Sequence, residues 1–136
     1  YTKSTNSDFT DTKPKAWLRG QPELMLEENI EDTEWVILNI QATGFYRVNY
    51  DPLTWSLITK HMTSPFYRDI HVLNRAQLLD DAFSLSRAGI LNYTTALELS
   101  TYLAEETHLI PWLSYNEIIA FINRQLRGTD IYKSFK

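Results

Sequence analysis

Apolar residues between Glu34 and Asp51 fall into two dense runs, 35–40 and 45–50, separated by Ala42-Thr43-Gly44. Both runs are rich in β-branched and aromatic side chains, so they predict the two strands of a β-hairpin. A period of two puts Val36, Leu38 and Ile40 on one face of the first strand and Trp35 and Ile37 on the other. Across the break, Tyr46, Val48 and Tyr50 alternate with Phe45, Arg47 and Asn49. Apolar side chains on both faces predict a strand pair covered from both sides, inside a sandwich or beneath helices. Gly44 suits a turn or bulge that needs positive φ. Upstream the pattern is thinner. Residues 1–11 read as an edge strand fading into a loop, and 16–18 and 24–26 read as short strands, the first ended by Arg19-Gly20-Gln21-Pro22.

From Asp51 onward the period changes to that of helices. Asp51 is placed as an N-cap with Pro52 in the first turn, and Trp55, Ile58 and Met62, with Leu57 beside them, form the stripe of a helix that ends near Ser64-Pro65. Residues 66–72 are a connection. A second helix is expected over 74–89: Asn74 caps, Gln77 completes a capping-box spacing, Leu73 and Leu78 are placed for a hydrophobic staple, and Gly89 is the C′ residue. Its buried stripe is Leu78, Leu79, Ala82, Phe83 and Ser86. Asn92 starts the next helix, with Ala96, Leu99, Ser100 and Leu103 inward and Thr95 with Glu98 as a second capping box. Pro111 opens another, with Tyr115, Ile118, Ile119, Ile122 and Leu126 on one side and Gly128 at its end; residues 129–136 begin a further helix. Helices of this length joined by short turns stack antiparallel, in a bundle or a helical-repeat array.

Composition adds exclusions. Hydrophobic residues make up 43% of the 136, with four Trp, eight Tyr and six Phe, which supplies a packed core and argues against disorder. A formal net charge of −4 without a basic cluster gives no nucleic-acid footprint, and no apolar run approaches the length of a membrane span. Cysteine is absent, so there is no disulfide framework or thiolate metal site. The chain begins at Tyr1 without a leader-like segment and reads as a piece of something longer.

Candidate chemistry is sparse. The acidic run Glu27, Glu28, Glu31, Asp32 and Glu34 could hold calcium but lacks the Asp-x-Asp-x-Gly order of a dedicated loop, so a solvated loop is favoured. A zinc peptidase helix needs His-Glu-x-x-His, and His61, His71 and His108 never meet that spacing. Glu105-x-x-His108 is a single copy of a pattern that di-iron bundles need in duplicate. Asp80 and Asp81 are adjacent and point about 100° apart on a helix, too divergent to share one substrate atom; one is expected to meet Arg75 or Arg87 and the other solvent. Ser84 and Ser86 lack a nucleophile elbow. Arg47, set between aromatics, needs a carboxylate or carbonyl partner if buried, with carbonyl pairing favoured over a ligand role. Asn92-Tyr93-Thr94 is a glycosylation sequon, meaningful in a secreted protein. No catalytic, cofactor-binding or metal-ligating residue is therefore assigned within this chain.

The order of motifs also carries a resemblance. Glu34-Trp35-Val36-Ile37-Leu38-Asn39, then Thr43-Gly44, then residues 45–51 resemble the hairpin that closes the small β-sandwich domain of zinc aminopeptidases of the aminopeptidase N family, the gluzincins. Residues 74–89 resemble the first helix of that family's C-terminal helical domain, the resemblance resumes at Tyr102-Leu103 and Pro111-Trp112, and residues 12–18 are similar to insect-type members. The resemblance implies an α+β fold: a partial antiparallel β-sandwich over 1–51, then a connecting helix and the antiparallel helices of a repeat-like array over 52–136. It also implies a parent zinc exopeptidase that removes N-terminal residues from peptides. This chain would be its non-catalytic C-terminal portion, scaffolding the chamber, with zinc ligands and catalytic groups upstream. Its implied partners are the upstream catalytic domain, downstream helices and the parent's peptide substrates. Insect-type members imply a membrane-anchored cell-surface location, although other members are cytosolic. A stand-alone helical binding module or cell-surface receptor domain is the alternative.

Overall fold

Asp51 and Pro52 start a helix as their chemistry requires: the Asp51 carboxylate accepts from Thr54 N at 3.0 Å, and Pro52 sits where no N–H is needed. The computed structural model describes residues 1–135. In chain order it contains β1 (Thr2–Lys3), β2 (Val36–Ile37), α1 (Pro52–Met62), α2 (Val72–Arg87), α3 (Tyr93–Ser100), α4 (Leu109–Leu126) and α5 (Tyr132–Phe135). Helices dominate. β1 pairs antiparallel with β2, Thr2 opposite Ile37 and Lys3 opposite Val36, and these are the two strands among the described residues.

The expected edge strand at the start is thus real, but its partner is the first half of the expected hairpin. The hairpin itself does not form, because residues 45–50 are not a strand. After β2 the backbone turns left-handed at Asn39, Gln41 and Ala42, with φ of 56°, 53° and 54°. Asn39 closes this turn on itself by accepting from Gly44 N at 2.7 Å and donating to Gly44 O at 2.9 Å and Tyr46 O at 3.3 Å. Residues 45–50 therefore leave β2 and run beside α2 instead of returning along the sheet. Positive φ does not fall on Gly44, as the sequence suggested. Gly44 is needed for space, since a Cβ there would run into the Tyr46 ring and lie 3.1 Å from Asn39 Oδ1. Residues 16–18 and 24–26 form no strands either; Trp17, Leu18 and Met25 are exposed and lack a neighbouring strand to pair with.

The helical half follows the pattern closely. Trp55, Ile58 and Met62 are buried along α1, and the whole expected stripe of α2 is buried. α2 begins a turn earlier than its sequence suggested: His71 is the N-cap, its Nδ1 accepting from Leu73 N at 3.3 Å, and Asn74 lies inside the helix. Gly89 follows α2 with φ +74°, the left-handed C′ residue. Asn92, not Thr95, caps α3, and Ala96, Leu99 and Leu103 point inward while Ser100 is half-buried. α4 starts two residues before Pro111, with His108 as its cap. α2 is the central element, touching α3, α4 and the turn at 40–42. One apolar cluster runs from Phe9, Trp35 and Ile37 through Trp55 and Ile58 to Leu79, Phe83 and Leu99.

Candidate functional site

One set of polar groups converges where the turn at 39–44 meets α2. Each non-glycine residue in the left-handed region costs about 1–2 kcal/mol, so three within four positions persist only if their surroundings hold them. Asn74, fully buried, supplies the hold: its Oδ1 accepts from Gln41 N at 2.8 Å, and its Nδ2 donates to Asn39 O at 3.1 Å and Gln77 Oε1 at 3.0 Å. Gln41 reaches onward, donating through Nε2 to Phe9 O at 2.8 Å. One asparagine in α2 thus satisfies two backbone groups of a strained turn, which is why it cannot also be the cap.

Two turns beyond Asn74, Asp81 accepts from Val48 N at 3.0 Å and from Arg47 Nη1 at 3.3 Å, and the same Nη1 binds Asp80. Both carboxylates therefore meet Arg47, not Arg75 or Arg87. The guanidinium spans their angular separation because it approaches from residues 45–50, outside the helix. Arg47 pairs with carboxylates, not with the carbonyl favoured from sequence. Burial pushes the Asp81 carboxyl above its ordinary range, against the pull of Val48 N–H and Arg47. Arg87 instead lies 4.1 Å over the Phe121 ring.

Arg75 holds a second junction. Its Nε meets Glu106 Oε2 at 2.7 Å, Nη2 meets Oε1 at 3.3 Å, and Nη1 donates to Ile70 O at 2.6 Å, all buried. Glu106 also accepts from Thr107 N and His108 N, and its carbonyl accepts from Trp112 Nε1 at 3.1 Å. Burial raises the Glu106 carboxyl, but Arg75 and the two backbone N–H groups together bring it below its ordinary range. No local pattern in the sequence marks this pair, because Arg75 and Glu106 stand 31 positions apart in the chain. A further missed group is Glu34, buried at the edge of the acidic run, bonded to Thr5 Oγ1 and accepting from Glu31 N at 3.0 Å. Thr5, Glu31 N–H and, less strongly, Lys3 hold its carboxyl down at about 2.

His71 and His108 spend Nδ1 on helix capping, and the His61 ring packs 5.3 Å from Trp35. Among the described residues no group of three or more His, Cys, Asp or Glu side chains is placed to hold a metal ion. These residues do not fit a zinc centre. Ser86 Oγ donates to Ala82 O inside its own helix. A cleft of about 770 Å³ opens between α1 and α3, lined in part by Tyr50, Trp55, Lys60, Asn92 and Glu98, and it holds no histidine.

Comparison with known proteins places the helical half in a known domain family. The ERAP1-like C-terminal domain family matches residues 35–136. Aminopeptidase N of Plutella xylostella is 42% identical over 98% of this chain and 14% of its own length, and membrane alanyl aminopeptidase of Manduca sexta is 43% identical over 84% and 11%. Aminopeptidase Q of Homo sapiens is 39% identical over 92% of this chain and 13% of its own. The class defined is that of C-terminal segments of aminopeptidases. The chain belongs to the aminopeptidase N family, its residues 35–136 to the ERAP1-like C-terminal domain. It spans only 11–14% of the length of these relatives.

Proposed function

We propose that this chain is a non-catalytic part of a zinc-dependent aminopeptidase, scaffolding the chamber in which N-terminal residues are removed from peptides. Residues 1–51 would complete a β-sandwich domain and 52–136 would begin the C-terminal helical domain. The observation that carries this reading is the buried polar junction: Asn74 and Asp81 of α2 satisfy backbone groups of residues 39–48, so the strand side and the helical side are held in one fixed orientation. A fixed joint of this kind suits a scaffold, while relatives named for aminopeptidase activity supply the chemistry assigned to the parent. The zinc ligands are assigned to other parts of the protein. No helix among the described residues is long and apolar enough to cross a membrane, so the proposed cell-surface anchorage, suggested by the relative named a membrane alanyl aminopeptidase, is also assigned elsewhere.

The test uses the full-length protein. It should contain stoichiometric zinc and hydrolyse aminoacyl anilides in a chelator-sensitive way, and His71→Asn with His108→Asn should leave zinc content unchanged, because Asn restores a capping oxygen in place of each ring nitrogen. Loss of zinc on those substitutions, or a full-length protein without aminopeptidase activity, overturns the reading.

A further inference from the structure

Neither the junction nor the chamber accounts for the cleft between α1 and α3 or for the triplet Asn92-Tyr93-Thr94 at its rim. This is the one Asn-x-Ser/Thr triplet in the sequence. Asn92 and Thr94 are both exposed, and Asn92 has extended backbone, φ −72° and ψ 134°, just after the exposed Ile90. Its side chain is already divided by function. Oδ1 accepts from Thr94 N at 2.9 Å as the α3 cap, whereas Nδ2 has no hydrogen-bond partner among the described residues. A substituent on Nδ2 would therefore leave the cap in place. Space is available too, since Asn92 lines the 770 Å³ cleft, whose other walls present the polar side chains of Ser56, Thr59, Lys60, Thr63, Thr95 and Glu98.

We infer that Asn92 carries an N-linked oligosaccharide, and hence that the face between α1 and α3 looks outward in the whole protein instead of docking on another domain. The transfer forms a bond between Asn92 Nδ2 and the anomeric carbon of a lipid-pyrophosphate-linked oligosaccharide; the lipid pyrophosphate leaves and one Nδ2 proton is released. The inference rests on the cell-surface reading, because the donor lipid is met only in the secretory pathway.

The experiment expresses the full-length protein in a eukaryotic cell, recovers it from the cell surface, and follows the Asn92 peptide by mass spectrometry before and after enzymatic amide cleavage of N-glycans. Most copies should show Asn92 converted to Asp by that treatment, in the parent protein and in Thr94→Ser. Thr94→Ala should lack the glycan and migrate faster on denaturing gels, while keeping the cap, which uses the backbone N–H. A surface-resident protein with an unmodified Asn92 peptide overturns the inference and leaves the surface reading standing. A protein that never reaches the surface and has unmodified Asn92 overturns both.

Discussion

Arg75 and Glu106 are opposite charges with side chains only 7% and 1% exposed, joining α2 to the segment before α4. Such a pair is weak evidence of net stabilisation, yet removing one partner leaves an uncompensated buried charge, at a cost of about 3–5 kcal/mol. Arg75→Met should lose that much in denaturant unfolding, and Arg75→Met with Glu106→Leu should recover most of it. Additive losses would mean that the two groups are not coupled. Glu34 gives the pH counterpart. Its folded carboxyl is depressed from 4.5 to about 2, so the folded state binds the proton less readily than the unfolded chain. Its contribution is fully present above pH 4.5 and lost as pH falls toward about 2. Asp81, raised by burial, works the other way and favours the folded state at low pH. Stability measured against pH should therefore fall less steeply on the acid side in Glu34→Gln. An acid limb unchanged by that substitution would show that the Thr5 and Glu31 contacts contribute nothing.

Among the elements, α2 organises the molecule. Phe83 is buried on it and meets Tyr115 of α4 edge-on, with ring centroids 6.0 Å apart. Phe83→Ala should cost about 3–5 kcal/mol, read by the denaturant midpoint of a cooperative transition; a loss below about 1 kcal/mol would mean the stripe does not carry the helix. That stripe was legible because a period of 3.6 is a property of the local sequence, and so were Asp51, Asn92 and Gly89 at helix ends, where the partner lies two or three residues away. The hairpin was not legible. Its two runs have the composition of strands, but residues 45–50 are placed by Asp80 and Asp81, more than thirty positions downstream, and the left-handed turn is held by Asn74. Asn74 misled for the same reason. An asparagine three residues before a glutamine reads as a cap locally, whereas its actual partners, Gln41 and Asn39, are distant in the chain. Arg47 reads in the sequence as a charge that needs a partner, but which partner it meets depends on the docking of two segments that no periodicity records.

At the scale of the whole molecule, the described surface leaves large apolar side chains in groups. Phe45 and Tyr46 stand out beside the left-handed turn, with Leu38 of the same end also exposed. Trp17, Leu18, Met25 and Leu26 are exposed along the strandless segment, and Leu109 and Leu113 stand on the outer side of α4's first turns. Single exposed apolar residues are ordinary, but grouped ones forming patches beyond a few hundred Å² normally have a partner surface. In the proposed full-length protein those partners are its other domains. The chain by itself should therefore self-associate. Sedimentation of the isolated 136-residue chain is expected to show a weight-average mass that rises with concentration above that of the 15.9 kDa monomer. Leu109→Ser with Leu113→Ser tests one group directly. Both side chains are more than half exposed, so each substitution should change folding stability by no more than about 0.5 kcal/mol while weakening association. If the unsubstituted chain stays monomeric at every concentration and melts above about 60 °C, the upper part of the ordinary mesophile range, its apolar groups need no cover. The stand-alone module would then replace the scaffold as the better reading.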